Sequence, residues 1–258
     1  SDYGIPGAGH HHEEENDSAI EPLEEEAPVN VQLESRRWDG ELVGQAPLRG
    51  IDQLKFKLAG IDYTHTEFEG DEVGTVFDSE TTDTRLEFRH VPLGSWEGAF
   101  GVQSKDLDFM AEGDEAFVPS SNTRTASLFL LESPDVGHWT VDLGARLEDL
   151  DIEVLDPAKE AESSFSPLSL SAGAVWHASD SNHFSFNLAR AERAPTAQEL
   201  YSYGPHIASQ TFEIGNATLD IETNMHYEAG WRVHGGGRLT GSIVLYYDDF
   251  DDYIYQEN

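Results

Sequence analysis

An all-β fold, an antiparallel transmembrane β-barrel, is predicted by three observations on this chain. Apolar and polar residues alternate with a period of two along most of its length, helical periodicity is sustained nowhere, and two kinds of connection take turns along the sequence. The alternation is plain in Trp139–Glu148, where Trp139, Val141, Leu143, Ala145 and Leu147 point one way and Thr140, Asp142, Gly144, Arg146 and Glu148 the other. The same period runs through Leu168, Leu170, Ala172, Ala174 and Trp176, through Tyr227, Ala229, Trp231 and Val233, and through Leu239, Gly241, Ile243, Leu245 and Tyr247.

Taken in order, the pattern gives about ten strands. Strands near 29–42 and 51–66 flank a slightly longer link at Val43–Gly50, and those near 73–91 and 95–109 flank a tight one at Pro92–Ser95. Those near 123–133 and 136–154 meet at Ser133–Asp135, those near 165–179 and 183–193 at Asp180–Asn182, and those near 218–234 and 238–250 at His234–Gly237. Between these hairpins lie connections that are longer or acidic: Ser1–Pro28, Glu67–Glu72, Met110–Asn122, Leu155–Ser164 and Ala194–Ala217. One end of the sheet therefore carries mostly short turns and the other mostly larger loops, as in outer-membrane barrels. A soluble β-sandwich is the alternative, with loop lengths scattered at both ends.

Composition narrows the function. In 258 residues, Lys+Arg number 15 and Asp+Glu 50, a formal charge of −35, which excludes nucleic-acid phosphate as a natural partner and favours cations. Cysteine is absent while histidine numbers 11, so a transition metal would be held by imidazole and carboxylate. No apolar run is long enough for a membrane helix, yet barrel strands need only about ten alternating residues and tolerate the mean hydropathy of −0.49. No Ser-His-Asp set, phosphate loop or HExxH helix supports an enzyme, and no catalytic cofactor is implied.

Three places carry candidate metal chemistry. His10, His11 and His12 precede Glu13, Glu14 and Glu15 in an acidic stretch suited to gathering divalent ions without one geometry; a merely solvated loop is the plainer reading. His65 and Glu67, two apart, share one face near the outer end of a strand, either as ligands or as a polar pair solvating a barrel interior. His206, in Tyr203-Gly204-Pro205-His206, sits in a turn that Gly and Pro restrict; a lone loop histidine is more often simply exposed. Trp38, Trp96, Trp139, Trp176 and Trp231, with Tyr246, Tyr247 and Tyr253, suit interfacial girdles or an ordinary β core. Asp248, Asp249, Asp251 and Asp252 lack the glycine and terminal glutamate of a calcium hand and read as a solvated acidic rim.

The wording of several segments is also informative. Glu192 to Gly215 opens Glu-Arg-Ala-Pro and continues as a long, partly apolar loop; Asp62-Tyr63-Thr64-His65-Thr66-Glu67 is followed by Gly74-Thr75-Val76-Phe77, Leu86-Glu87-Phe88-Arg89-His90 and Gly98-Ala99-Phe100-Gly101-Val102-Gln103. Tyr3-Gly4-Ile5-Pro6-Gly7 precedes the His-rich stretch, and Glu115-Ala116-Phe117-Val118-Pro119 falls in a later loop. In this order the set resembles the TonB-dependent outer-membrane receptors, most of all their zinc-uptake branch. The resemblance implies a Gram-negative outer-membrane location and a whole receptor with a plug inside a barrel of about 22 strands. This chain is then expected to be a partial barrel without the plug, with residues 1–28 an external His-rich loop and 29–258 barrel strands and loops. It further implies that Glu67 and His206 join plug residues in a tight zinc site, zinc being the transported ligand, while TonB acts through the missing plug and lipid surrounds the barrel. A haem or siderophore receptor is the nearest alternative, and an acidic β domain binding calcium or a partner protein the alternative of another class.

Overall fold

The computed structural model describes residues 2–4, 29–70, 72–113, 116–156, 160–206, 211–234 and 240–257. Its elements are β1 (Asp2–Gly4), β2 (Val29–Leu48), β3 (Ile51–Glu69), β4 (Glu72–His90), β5 (Trp96–Gly113), β6 (Ser121–Val136), β7 (Trp139–Val154), β8 (Ala161–Phe165), β9 (Leu168–Ser179), β10 (Asn182–Arg193), α1 (Ala197–Tyr201), β11 (Tyr203–His206), β12 (Thr211–Ile214), β13 (Glu222–His234) and β14 (Thr240–Asp251). β1 to β7, β9, β10, β13 and β14 pair in that order, β8 pairs β7, and β11 with β12 forms a separate hairpin. Every described pairing is antiparallel.

All ten predicted strands are present, but several connections and one strand differ from expectation; the tight link expected at Ser133–Asp135 lies instead at Gly137–His138, with β6 running on to Val136 and Gly137 at φ 64°. The Val43–Gly50 link is mostly strand: β2 runs on to Leu48 past a bulge where Ala46 takes φ 45°, and Gly50 at φ 88° turns the chain. Glu69 already pairs with Glu72, so the Glu67–Glu72 loop is a tight turn through Gly70 at φ 62°. The strand near 165–179 is two, β8 and β9, because Pro167 has no N–H for the ladder and leaves its carbonyl to accept from Glu148 N at 3.0 Å.

The period of two sorts the side chains into two walls. Outside, the register lays Leu42, Phe56, Leu86, Val102, Leu128, Leu147 and Leu168 side by side across seven strands. A second row, Trp139, Trp176, Phe184, Trp231 and Ile243, follows the short-turn end, and its aromatic rings stack at 5.6–6.5 Å. Such continuous exposed apolar rows edged by tryptophan suit lipid, and Trp139, Trp176 and Trp231 stand on this outer face where a girdle would need them. β3 and β4, at 19 residues each, are about twice the length that crosses a bilayer and so stand well clear of it at the loop end.

Inside, the neighbours are Glu41, Lys57, Arg85, Gln103, Ser127 and Glu148. They form a polar network: Arg146 donates to Gln103 Oε1 at 3.2 Å, Ser127 Oγ at 2.8 Å and Glu148 Oε1 at 2.9 Å, while Gln103 Nε2 donates to Asp83 at 2.9 Å. Arg85 pairs with Glu87 at 2.8 Å and lies 4.0 Å over the Phe129 ring. Buried apolar side chains gather where loops fold back onto this wall at its loop end: Val31, Phe117, Val118, Ile152, Val154, Ala194 and Leu200.

Candidate functional site

Within the segment 194–217, Thr196 caps α1 by accepting from Glu199 N at 3.2 Å, while the Glu199 carboxylate accepts from Thr196 N at 2.7 Å. Arg193, the arginine of the Arg-Ala-Pro turn, clasps Glu199 at 2.9 Å and Glu222 at 3.4 Å, tying the end of β10 to α1 and to the start of β13. Burial works to raise the Glu199 pKa, but hydrogen bonds from Arg193 and from Thr196 outweigh it and hold the carboxyl below its usual range. Leu200 is driven into the layer beneath, and Gly215 passes so close to the Leu200–Ser202 backbone that a Cβ there would sit 2.6 Å from it.

The hairpin of β11 and β12 presents His206. Its register sets His206 opposite Thr211, so Glu213 is the diagonal same-face neighbour, and the His206 Nδ1 to Glu213 Oε1 distance is 2.7 Å. Glu213 also accepts from Gln198 Nε2 at 3.3 Å, which ties the pair to α1. Tyr203 N donates to Phe117 O at 2.8 Å, and the Phe117 ring stacks on His206 at 4.4 Å. Two loops distant in sequence thus hold one imidazole between a carboxylate and an aromatic face.

His65 and Glu67 lie on the inner face of β3, as the two-residue spacing predicts. His65 Nε2 stands 3.3 Å from Glu67 Oε1, within ion-pair reach, yet that buried nitrogen has no hydrogen bond of acceptable geometry. Glu67 is 8% exposed, so its carboxylate is held out of water with one imidazole beside it.

The two histidine–carboxylate pairs are linked rather than merged. His65 meets Phe77 edge-on at 5.5 Å, Phe77 meets Phe117 at 6.1 Å, and Phe117 stacks on His206, so an aromatic bridge joins them. Among the described residues no three His, Asp or Glu side chains converge as a ready metal site. Glu67 and His206, expected from the resemblance to join plug residues in one zinc site, stand in separate couples, Glu67 beside His65 and His206 bonded to Glu213. His10, His11 and His12 lie outside the described residues, as does Glu115.

Glu213, Phe77 and Phe117 are the site residues that sequence reasoning missed. Phe77 and Phe117 stood within quoted segments, but only the fold brings them together; Glu213 becomes visible once 203–206 and 211–214 are read as a hairpin. Asp248 is likewise more than rim, since His226 Nδ1 lies 2.8 Å and Asn224 Nδ2 3.2 Å from its Oδ1. Beside this region a cavity of about 340 Å³ lies under Pro195 and Ala197, walled by Phe109, Leu150 and Ile152 with Lys105 at its edge.

Residues 18–258 match the family model described as TonB dependent receptor-like, beta-barrel. The chain belongs to that family. Like other members, this receptor barrel is a protein of the Gram-negative outer membrane. Its fold is that of the copper transporter OprC (TM-score 0.69, 12% identity, 87% of this chain and 42% of that one). It is similarly close to the Serratia marcescens hemophore receptor HasR, solved with its hemophore HasA and heme (TM-score 0.72, 14% identity, 90% and 41%). The FrpB iron transporter of Neisseria meningitidis aligns with TM-score 0.66 and 12% identity over 88% of this chain and 37% of its own. The receptor barrel studied therefore spans about two fifths of the length of these solved proteins.

Proposed function

We propose that this barrel serves uptake across the outer membrane as part of a TonB-dependent receptor, and that its ligand is a divalent metal ion of the zinc type. The observation that carries the reading is the pair of histidine–carboxylate couples, His65–Glu67 on the inner wall and His206–Glu213 on the hairpin beside it, linked by the Phe77–Phe117 bridge. Imidazole and carboxylate are borderline and hard donors that together suit zinc. Glu213 on Nδ1 fixes the orientation of the ring, a carboxylate–imidazole arrangement common behind metal-bound histidines. Neither couple is a complete shell, and residues of a plug would supply the rest; TonB acting on that plug would release the ion inward. The acidic surface of the chain, −35 in formal charge, would concentrate cations at the mouth, with His10, His11 and His12 gathering them loosely.

A second reading rests on the cavity beside Pro195. Its apolar walls and single lysine suit an organic metal chelate with an anionic group, such as haem or a siderophore, better than a bare ion. Family membership favours either receptor reading over a non-transporting acidic β domain. Calorimetric titration of the detergent-folded receptor with Zn²⁺, alongside Glu67→Ala and His206→Ala, decides between them. Tight binding lost in both variants supports the ion; equal, weak binding in all three sinks it and turns attention to chelates.

A further inference from the structure

At the opposite, short-turn end of the same inner wall, three more histidines meet from three neighbouring strands. His177 on β9 and His183 on β10 are direct register partners, and their Nδ1 atoms are 2.9 Å apart with the rings nearly perpendicular at 80°. His234, at the end of β13, brings its ring to 6.2 Å from that of His183. The three border a groove of about 410 Å³ between β9 and β14, floored by Gly230 and flanked by Ser185, Ser242 and Arg232.

We propose that His177 and His183, joined by His234, form a second metal site, one that takes a borderline divalent ion such as Zn²⁺, Cu²⁺ or Ni²⁺. Two nitrogens bound to one tetrahedral ion at about 2.05 Å stand about 3.3 Å apart, so the present contact needs to open by only a few tenths of an ångström. One Nδ1 now donates to the other, because two imidazole lone pairs cannot face each other at this distance. When an ion enters, that proton moves to the same ring's Nε2 and both Nδ1 lone pairs turn to the metal. The outer nitrogen of His177 already has its partner, Thr140 Oγ1 at 3.1 Å, which would hold that ring in its ligating tautomer. Among the described residues no three ligands are yet drawn around a single point, so the pair provides the first two and His234 the third when its ring turns inward.

Among the described residues that line the groove stands Arg232, the register partner of His183. It opposes a bare cation and makes the site weaker than a closed one, which suits an ion in passage rather than one kept for structure. Among the described residues no carboxylate lines the groove. This site is independent of His65–Glu67 and His206–Glu213, so either can fail alone.

The test uses Co²⁺ as an optical stand-in for Zn²⁺ on the detergent-folded chain, counting bound ions and following the visible ligand-field band. His177→Ala with His183→Ala is expected to remove one bound ion, whereas Glu67→Ala with His206→Ala leaves that ion in place. Arg232→Ala keeps every imidazole and is expected to tighten this ion threefold to tenfold, about the weight of one partly solvated charge at close range. An ion count and band unchanged by the double histidine variant would overturn the proposal, and so would an Arg232→Ala variant that binds no more tightly.

Discussion

The two ends of the inner wall belong to one antiparallel sheet, yet they are finished differently. At the loop end, the segments around Phe117 and Leu200 fold onto the wall, burying Glu67 and locking His206 between Glu213 and a ring. At the short-turn end nothing among the described residues covers the wall, and His177, His183 and His234 face an open groove. Alternation alone fixes which face a histidine takes; what covers that face decides whether it is held in one geometry or left to adjust. A covered site is preorganised and selective, and an open one is quick to fill and to empty.

The sharpest way to break this comparison is to remove the cover. Leu200 is 2% exposed, and Leu200→Ala is expected to cost about 2–4 kcal/mol of local stability through the cavity it leaves. Hydrogen exchange should then speed about a hundredfold in 194–217, with the β6 and β7 amides unchanged. Equal acceleration throughout would mean that wall and cover unfold as one unit. Next in size is Glu213→Gln, which keeps the hairpin but weakens the carboxylate behind His206. It should lower Zn²⁺ affinity by about tenfold in calorimetry and leave exchange unaltered.

A smaller effect follows from the cap of α1. The Glu199 carboxyl is held below its value in the unfolded chain by Arg193 and Thr196, so its contribution is complete above about pH 4.5 and fades as pH falls through the lower folded value. Limited proteolysis of the 194–217 segment should therefore rise between pH 6 and pH 3.5. Glu199→Gln should expose the segment already at pH 6, by about 1 kcal/mol, and flatten that rise. A pH response that survives the substitution would assign it to other carboxylates.

Much of this was legible from the residues. A period of two sustained over about ten segments specified the sheet and its two walls, since a one-residue slip would exchange one face for the other. The inside of the 194–217 segment was not legible, because α1 has five residues and β11 and β12 four each, too few for a period to show. His65 and Glu67 could be paired because they are two apart on one strand. His206 and Glu213 needed a hairpin register, and His177, His183 and His234 needed the order of three strands. Proximity across strands is written in register, and register is set by turns and bulges such as the one beside His183 rather than by the histidines themselves.

The smallest expected effect sharpens the comparison from the other side. Arg37 grips Asp39 with two hydrogen bonds, 2.8 and 2.7 Å, a geometry as good as that of Arg193 with Glu199. The surroundings differ: Arg37 and Asp39 keep 61% and 56% of their side-chain surface exposed, and among the described residues no covering segment leans on them. Water and salt screen such a pair, and holding two side chains together costs rotamer freedom, so the geometry by itself carries little stability. Asp39→Asn should leave the denaturant midpoint of the detergent-folded chain unmoved at both low and high salt. A clear, salt-sensitive shift would mean that the inner wall at Asp39 is covered after all, and the contrast between a dressed end and a bare one would have to be drawn lower on the strands.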